Sequence, residues 1–339
     1  MNDAAPSRQA SVDFHLAALR PWLDRPDVAE ICVNRPGHIW YEDQDGWKRD
    51  ASDALTLDHL HALATATARF CDRDICPEHP LLAASLPDGE RVQIVIPPAC
   101  EPGTLSLTIR KPARRIWPLA ELLRDAHEPP MAADAGQAPP DPLRGLWRCG
   151  AWNDFLRQAV RASKAILVAG QTGTGKTTLM NALGAEIPPH ERIVTIEDVR
   201  ELRLDPATNH VHLLYGHPTH GTQACVSASE LLRAALRMAP TRILLSELRG
   251  GEAFDFIQAC ASGHSGGIST CHAANAAMAL QRLTLMCMQH PNCQALPYAA
   301  LRSLVESVVD IIVVVERRAG QGARRRIADI WYRDALPAP

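Results

Sequence analysis

No run of apolar residues in this 339-residue chain approaches the roughly 18 needed to cross a bilayer as a helix. The strongest, Val308 to Val315, is interrupted by Asp310 and reads as a strand, so any contact with a membrane is expected to be peripheral. The opening residues have no basic start followed by an apolar core, and no secretory signal is expected. No CxxC pair occurs among the ten cysteines; Cys71 and Cys76 find no partner pair, so no structural zinc is expected. Length and the missing secretion signal favour reduced thiols. Neither sign of charge dominates: 35 basic side chains against 38 acidic ones leave a formal charge of -3, which argues against a chain that coats nucleic acid. Aromatic residues are scarce, and Trp22, Trp40, Tyr41 and Trp47 read as core or hairpin packing rather than a platform for stacked bases.

What is present divides the chain in two. Its length exceeds one comfortable core, and the segment from Glu128 to Pro142 is proline-rich with Met131 as its sole large apolar residue. The spacing predicts an N-terminal α+β domain over 1–127, a linker over 128–143 and a second domain over 144–339. In the first, Val12 to Leu23 and Leu57 to Phe70 carry helical spacing, while 30–34, 38–42, 92–96 and 104–110 alternate as half-buried strands do. In the second, apolar strands at 165–169, 192–196, 211–215, 242–245 and 267–270 alternate with helical patterns, as in a three-layer α/β core that binds ligands beyond the C-terminal strand ends. Arg144, Arg148, Arg157, Arg161 and Lys164 read as a solvated helix face. Arg317, Arg318, Arg324, Arg325 and Arg326 flank a turn and read as a solvated hairpin.

The most informative stretch is Gly170-Gln171-Thr172-Gly173-Thr174-Gly175-Lys176-Thr177, which follows the apolar run 165–169 and opens a helix through Thr178. It fits the phosphate-loop pattern in full. Glycines let the backbone curl so that amides and a helix N-terminus face a phosphate; Lys176 reaches the β/γ-phosphates and Thr177 offers a hydroxyl to magnesium. Residues 170–178 are therefore expected to hold a nucleoside triphosphate.

Acids stand at the ends of the later strands. Glu197 and Asp198 follow Ile196, with Glu201 close behind, and Glu247 follows the run 242–245. Hydrolytic phosphoryl transfer needs a metal clamp, an oriented water and positive charge on the leaving oxygens. Glu247 is expected to face the nucleotide and its metal; Glu197 reads equally as a catalytic acid and as a structural residue, a cap or a salt-bridge partner. The glycine- and hydroxyl-rich segment 263–273, with His264 and His272, is suited to sensing a γ-phosphate. A His–His–Cys metal site there lacks a fourth partner.

Taken together, the phosphate loop, the segments 196–202, 246–252 and 263–273, and the N-terminal segments 30–37 and 86–92 resemble the VirB11 family of secretion ATPases, within the type II/IV secretion superfamily. The likeness covers most of the chain. It implies a RecA-like phosphate-loop NTPase core that uses ATP and magnesium, with Lys176 and Thr177 in the Walker A position. Glu247 falls on the Walker B acid, Glu197 to Glu201 form an acidic box with Glu201 as the water-activating residue, and His272 ends a histidine box. It also implies that Arg91 and Arg110 reach the nucleotide from the N-terminal domain. A homohexameric motor, peripheral to the cytoplasmic face of the inner membrane and joined to other components of a type IV secretion or conjugation apparatus, follows from the same likeness. Ser246 departs from the glycine usual before the Walker B acid. The competing classes are a nucleic-acid-stimulated motor, whose core fold is shared with helicases, and a non-catalytic assembly scaffold; direct activation by nucleic acid is not expected.

Overall fold

The computed structural model describes residues 8–112, 142–216, 226–317 and 325–335. The expected linker lies outside these residues except at its end, where 142 and 143 already belong to a helix.

The first body is a six-stranded antiparallel sheet built from β1 (Glu30–Arg35), β2 (His38–Asp43), β3 (Gly46–Ala51), β4 (Leu81–Ser85), β5 (Arg91–Val95) and β6 (Ser106–Arg110), in the order β3-β2-β1-β6-β5-β4. Helices α1 (Arg8–Leu16), α2 (Arg20–Leu23) and α3 (Leu57–Phe70) cover one face, with Leu16, Ile31, Leu63, Ile94 and Ile109 in the shared core. The expected opening helix 12–23 is broken by a 3-10 turn at Ala17–Leu19. Thr56 caps α3 by accepting the N–H of His59, and buried alanines on its inner face let it lie close to its neighbours. The aromatic residues pack as expected: Tyr41 is buried under Arg25, and the Trp22 indole donates to Asp50 at 2.8 Å.

The second body is a seven-stranded sheet ordered β13-β12-β7-β11-β10-β8-β9, parallel except for the β12–β13 pair. Its strands are β7 (Ile166–Gly170), β8 (Ile193–Glu197), β9 (His210–Leu214), β10 (Arg242–Leu245), β11 (Ile268–Cys271), β12 (Ile311–Arg317) and β13 (Arg325–Tyr332). Successive residues face opposite sides. Leu167 and Leu245 join one apolar layer and Val168 and Leu244 the other, so both faces are covered and the strands read as unbroken apolar runs. The helices are α4 (Pro142–Arg148), α5 (Trp152–Arg161), α6 (Lys176–Gly184), α7 (Ala228–Ala235), α8 (Glu252–Ala261), α9 (Ala276–Cys287) and α10 (Tyr298–Val308). This is the expected α/β core with a smaller α+β domain before it. The run from Val308 does not form one strand: Val308 ends α10, and β12 starts only after Asp310, whose carboxylate accepts the Ala165 N–H at 2.7 Å and pairs with Arg333 at 2.6 Å. No helix among the described residues is long and apolar enough to cross a membrane.

Arg192 fastens the two bodies together. Fully buried, it donates to the Met238 carbonyl at 2.7 Å, to Asn209 at 2.6 Å, to Asn34 at 3.1 Å and to Thr108 at 3.2 Å, while its guanidinium lies over the Trp47 ring. Asn34, Trp47 and Thr108 belong to the first body. Because Arg192 and Asn209 immediately precede β8 and β9, the first body is seated at the N-terminal ends of these strands, and it also meets edge strand β9 through the Cys100–Leu213 bridge.

Candidate active site

Strands β7, β11, β10 and β8 are parallel neighbours, so whatever follows each of them arrives on one rim of the sheet. The phosphate loop follows β7, His272 follows β11, Glu247 follows β10 after Ser246, and Glu197 ends β8. The rim therefore gathers residues spread over about 100 positions of sequence.

The loop itself requires its glycines. A Cβ on Gly170 would stand 2.6 Å from both the Thr174 hydroxyl and the Val315 carbonyl, and Gly173 and Gly175 have φ of +76° and +97°. From Gly175 the chain enters α6, whose first amides have no partner within the helix. Gln171, Thr172 and Gly173 are exposed, and Thr174 is pinned by donating to the Gln171 carbonyl at 2.8 Å. The Lys176 ammonium donates to the Gly170 and Gln171 carbonyls at 3.1 Å each and stands 3.4 Å from Nδ1 of His272. Burial lowers its pKa, partly offset by Glu247. An ammonium held by neutral partners in a half-buried loop is short of negative charge, which a phosphate supplies.

Glu247 lies behind it, its side chain only 12% exposed. One carboxylate oxygen accepts from Nε of Arg249 at 2.8 Å, with Nη2 of the same guanidinium 2.7 Å away, and Arg249 reaches on to Asp198 at 2.9 Å. The other oxygen is 2.6 Å from Nε2 of His272 in a contact too bent for a hydrogen bond, so this buried oxygen has no donor of its own. Lys176, His272, Glu247, Arg249 and Asp198 thus form one continuous line. Sequence reasoning missed the bridging role of Arg249; its position two residues after a strand-end acid was the available signal.

Glu201 is exposed and lines a cavity of about 670 Å³ together with Thr177, Thr178, Asn181, Arg200 and Arg203. Glu197 is different. It is fully buried, accepts from Thr195 at 2.7 Å and from the amides of Glu201 and Leu202 at 2.8 Å each, and contacts Nδ1 of His212 at 3.0 Å. Burial pushes its pKa up, but His212, the two amides and Thr195 outweigh that and leave it below the usual carboxylate value. Glu197 is therefore bound up as a structural anion, the cap-like alternative, rather than presented to a ligand.

The structure does not bring Arg91 and Arg110 to the phosphate loop of their own chain. They face each other in register across β5 and β6 and line a separate cavity of about 600 Å³ with Glu30, Arg73 and Arg237. Leu236, Arg237 and Ala239 in that cavity precede β10, whereas the phosphate loop lies at the opposite, C-terminal rim. Arg110 pairs with Glu30 at 3.2 Å, and burial pushes the Glu30 carboxyl up to about 7 against the pull of that arginine. His264 also lies away from the site, in the turn that leads into β11, where Gly266 and Gly267 are required by close packing on Arg242 and Cys260. The expected sensing segment therefore contributes to the rim only through its end, at His272. Among the described residues no group of three His, Cys, Asp or Glu side chains is placed to hold a metal by itself.

Residues 150–325 match the profile of the family described as "Type II/IV secretion system protein". A Bordetella bronchiseptica protein named "Type IV secretion system protein PtlH homolog" is 83% identical over 339 residues, 100% of both chains. The "Type IV secretion system protein VirB11" of Brucella suis is 48% identical over 335 residues, 98% of this chain and 92% of the relative. The chain belongs to the VirB11 family. A crystal structure of the VirB11 ATPase from the Brucella suis type IV secretion system, in complex with sulphate, superposes with a TM-score of 0.89 at 48% identity, covering 98% of this chain and 97% of that one. The VirB11 fold is thus shared across both bodies, not only across the phosphate-loop core.

Proposed function

We propose that this chain is a magnesium-dependent ATPase that powers a type IV secretion or conjugation apparatus, working as a homohexameric ring peripheral to the cytoplasmic face of the inner membrane. The observation that carries the enzymatic part is the Lys176–His272–Glu247 line closing on the phosphate loop. Family membership supports the apparatus.

Residues 170–178 hold the triphosphate: loop amides and the start of α6 take its oxygens, and Lys176 exchanges its two carbonyl partners for phosphate. The donor-free buried oxygen of Glu247 and the hydroxyl of Thr177 fit a hard cation that keeps most of its shell in water and phosphate, so these two would hold magnesium. When bound, the metal neutralises charge on the β- and γ-oxygens. Glu201 accepts a proton from a water whose oxygen bonds to the γ-phosphorus; the bond to the bridging oxygen breaks and ADP leaves with that electron pair. His272 and Arg249 keep Glu247 in place. Arg91 and Arg110 line a cavity at the rim opposite their own loop, so their contact with phosphate requires a neighbouring copy in the ring.

The test is phosphate release by the purified chain with magnesium and ATP, with and without single-stranded DNA at two salt concentrations, alongside its solution mass. Turnover by an oligomer with little response to DNA is expected. A monomer that does not hydrolyse ATP would overturn the reading, and strong salt-dependent stimulation by DNA would transfer the chain to the nucleic-acid motors.

A further inference from the structure

The acidic segment after β8 crosses the cavity beside the phosphate loop as irregular chain, with no ladder or helix to fix it. A reactive carboxylate on such a segment needs anchors, since a misplacement of about 1 Å costs on the order of 100-fold in rate. The peptide of Glu201 has one on each side. Its N–H donates to Oε2 of Glu197 at 2.8 Å, beside the Leu202 amide on the same oxygen. Its carbonyl accepts from Nδ2 of Asn181 at 3.2 Å, and Oδ1 of Asn181 takes the Arg203 N–H at 2.7 Å. Asn181 lies on α6, the helix that Lys176 opens, so the amide ties the acidic segment directly to the element that carries the phosphate loop. Glu197 ties the same peptide to the sheet, through Thr195 and His212.

We propose that Asn181 and Glu197 are positioning residues that together set Glu201 against the phosphate loop, and that neither touches the nucleotide. The proposal rests on the reading of Glu201 as the water-activating acid. Glu197 is fully buried, with one oxygen engaged by Thr195 and His212 and the other by the two amides that hold the segment, so neither is presented to the nucleotide. Asn181 has no acid–base chemistry to offer. It acts by holding a carbonyl and an amide two residues apart, a pairing an asparagine satisfies with one acceptor and one donor.

A glutamine at 197 separates the two roles. Its amide oxygen can keep the Glu201 and Leu202 N–H groups while its NH2 meets the Thr195 hydroxyl and Nδ1 of His212, the positions its partner oxygen contacts now. A chemical role for the carboxylate would be lost in that variant; a positioning role is largely kept.

The experiment measures kcat, KM, nucleotide affinity and thermal midpoint for the full chain and its variants. Asn181→Ala is expected to lower kcat by about tenfold or more, with KM and nucleotide affinity within about twofold and a midpoint close to that of the unaltered chain. In a Glu201→Ala background the same change should cost nothing further, because its effect passes through Glu201. Glu197→Ala should fall about as far as Glu201→Ala, and Glu197→Gln should recover at least about tenfold of that loss. Additive losses in the double variant, an unaltered kcat in Asn181→Ala, or a glutamine at 197 no better than alanine would each overturn the proposal. A fully active Glu201→Ala enzyme would instead overturn the assignment of the acid itself, a distinguishable result that removes the proposal along with it.

Discussion

Replacing Glu247 with glutamine removes a single carboxylate charge while keeping the shape of the side chain. Arg249 offers only N–H groups, at 2.8 and 2.7 Å, so the glutamine oxygen must stay with Arg249. The NH2 then takes the place of the oxygen that has no donor, 2.6 Å from Nε2 of His272. Two consequences follow. The position that would serve a metal now presents hydrogens. His272 must turn its bare nitrogen toward that NH2 and so direct its other N–H at Lys176, 3.4 Å away, which also has only donors. The rearrangement strikes the cation clamp and the ammonium together, where loss of one preorganised group typically costs about 10²–10³ in kcat. Ground-state binding rests on the loop amides, the start of α6 and the charge of Lys176, all of which the substitution retains. Glu247→Gln should therefore bind a fluorescent ATP analogue within a few-fold of the unaltered affinity, while phosphate release falls by about 100-fold or more. A kcat within about threefold of the unaltered enzyme would refute the assignment of Glu247 as the principal acid at the nucleotide.

Lys176→Ala should differ by weakening nucleotide binding as well as nearly abolishing phosphate release, because it removes the charge aimed at the β/γ-phosphates; equilibrium binding separates the two variants. Gly170→Ala should destabilise the fold by about 1–3 kcal/mol in denaturant unfolding, since the new methyl meets the Val315 backbone oxygen, which cannot swing aside. Glu30 predicts a pH effect. Its carboxyl ionises near 7 when folded against 4.5 in the unfolded chain, so the folded state keeps its proton between those values and must bury a charge above them. Stability should fall as pH rises from about 4.5 through 7, by at most about 3 kcal/mol, and Glu30→Gln should flatten that slope in unfolding curves measured across the range. An unchanged slope would contradict the burial argument.

The sequence by itself determined the phosphate loop, the parallel core and the rim residues Lys176, Glu247 and His272. The reason is local. A phosphate loop is contiguous in the chain, an apolar run buried on both faces is visible as a strand, and parallel strands place whatever follows them on one side. The weakly apolar strands were less legible. β3 is half-exposed and polar, and β4 is too short and alanine-rich to show alternation; both are held by their neighbours more than by their own pattern. Tertiary structure alone decided which acid is presented and which is consumed. Glu197 and Glu201 are four residues apart in one acidic box, yet the first ends a buried strand facing His212 and the second lies on irregular chain at the cavity. Nothing in their spacing encodes that difference, because it depends on β9 lying beside β8. The same holds for Arg91 and Arg110, whose distance from the phosphate loop is set by the seating of the first body at the N-terminal strand ends, a packing choice made by Arg192, Asn34 and Thr108 across the interface. It holds too for Asn181, an ordinary helix residue until the fold lays the acidic segment across it.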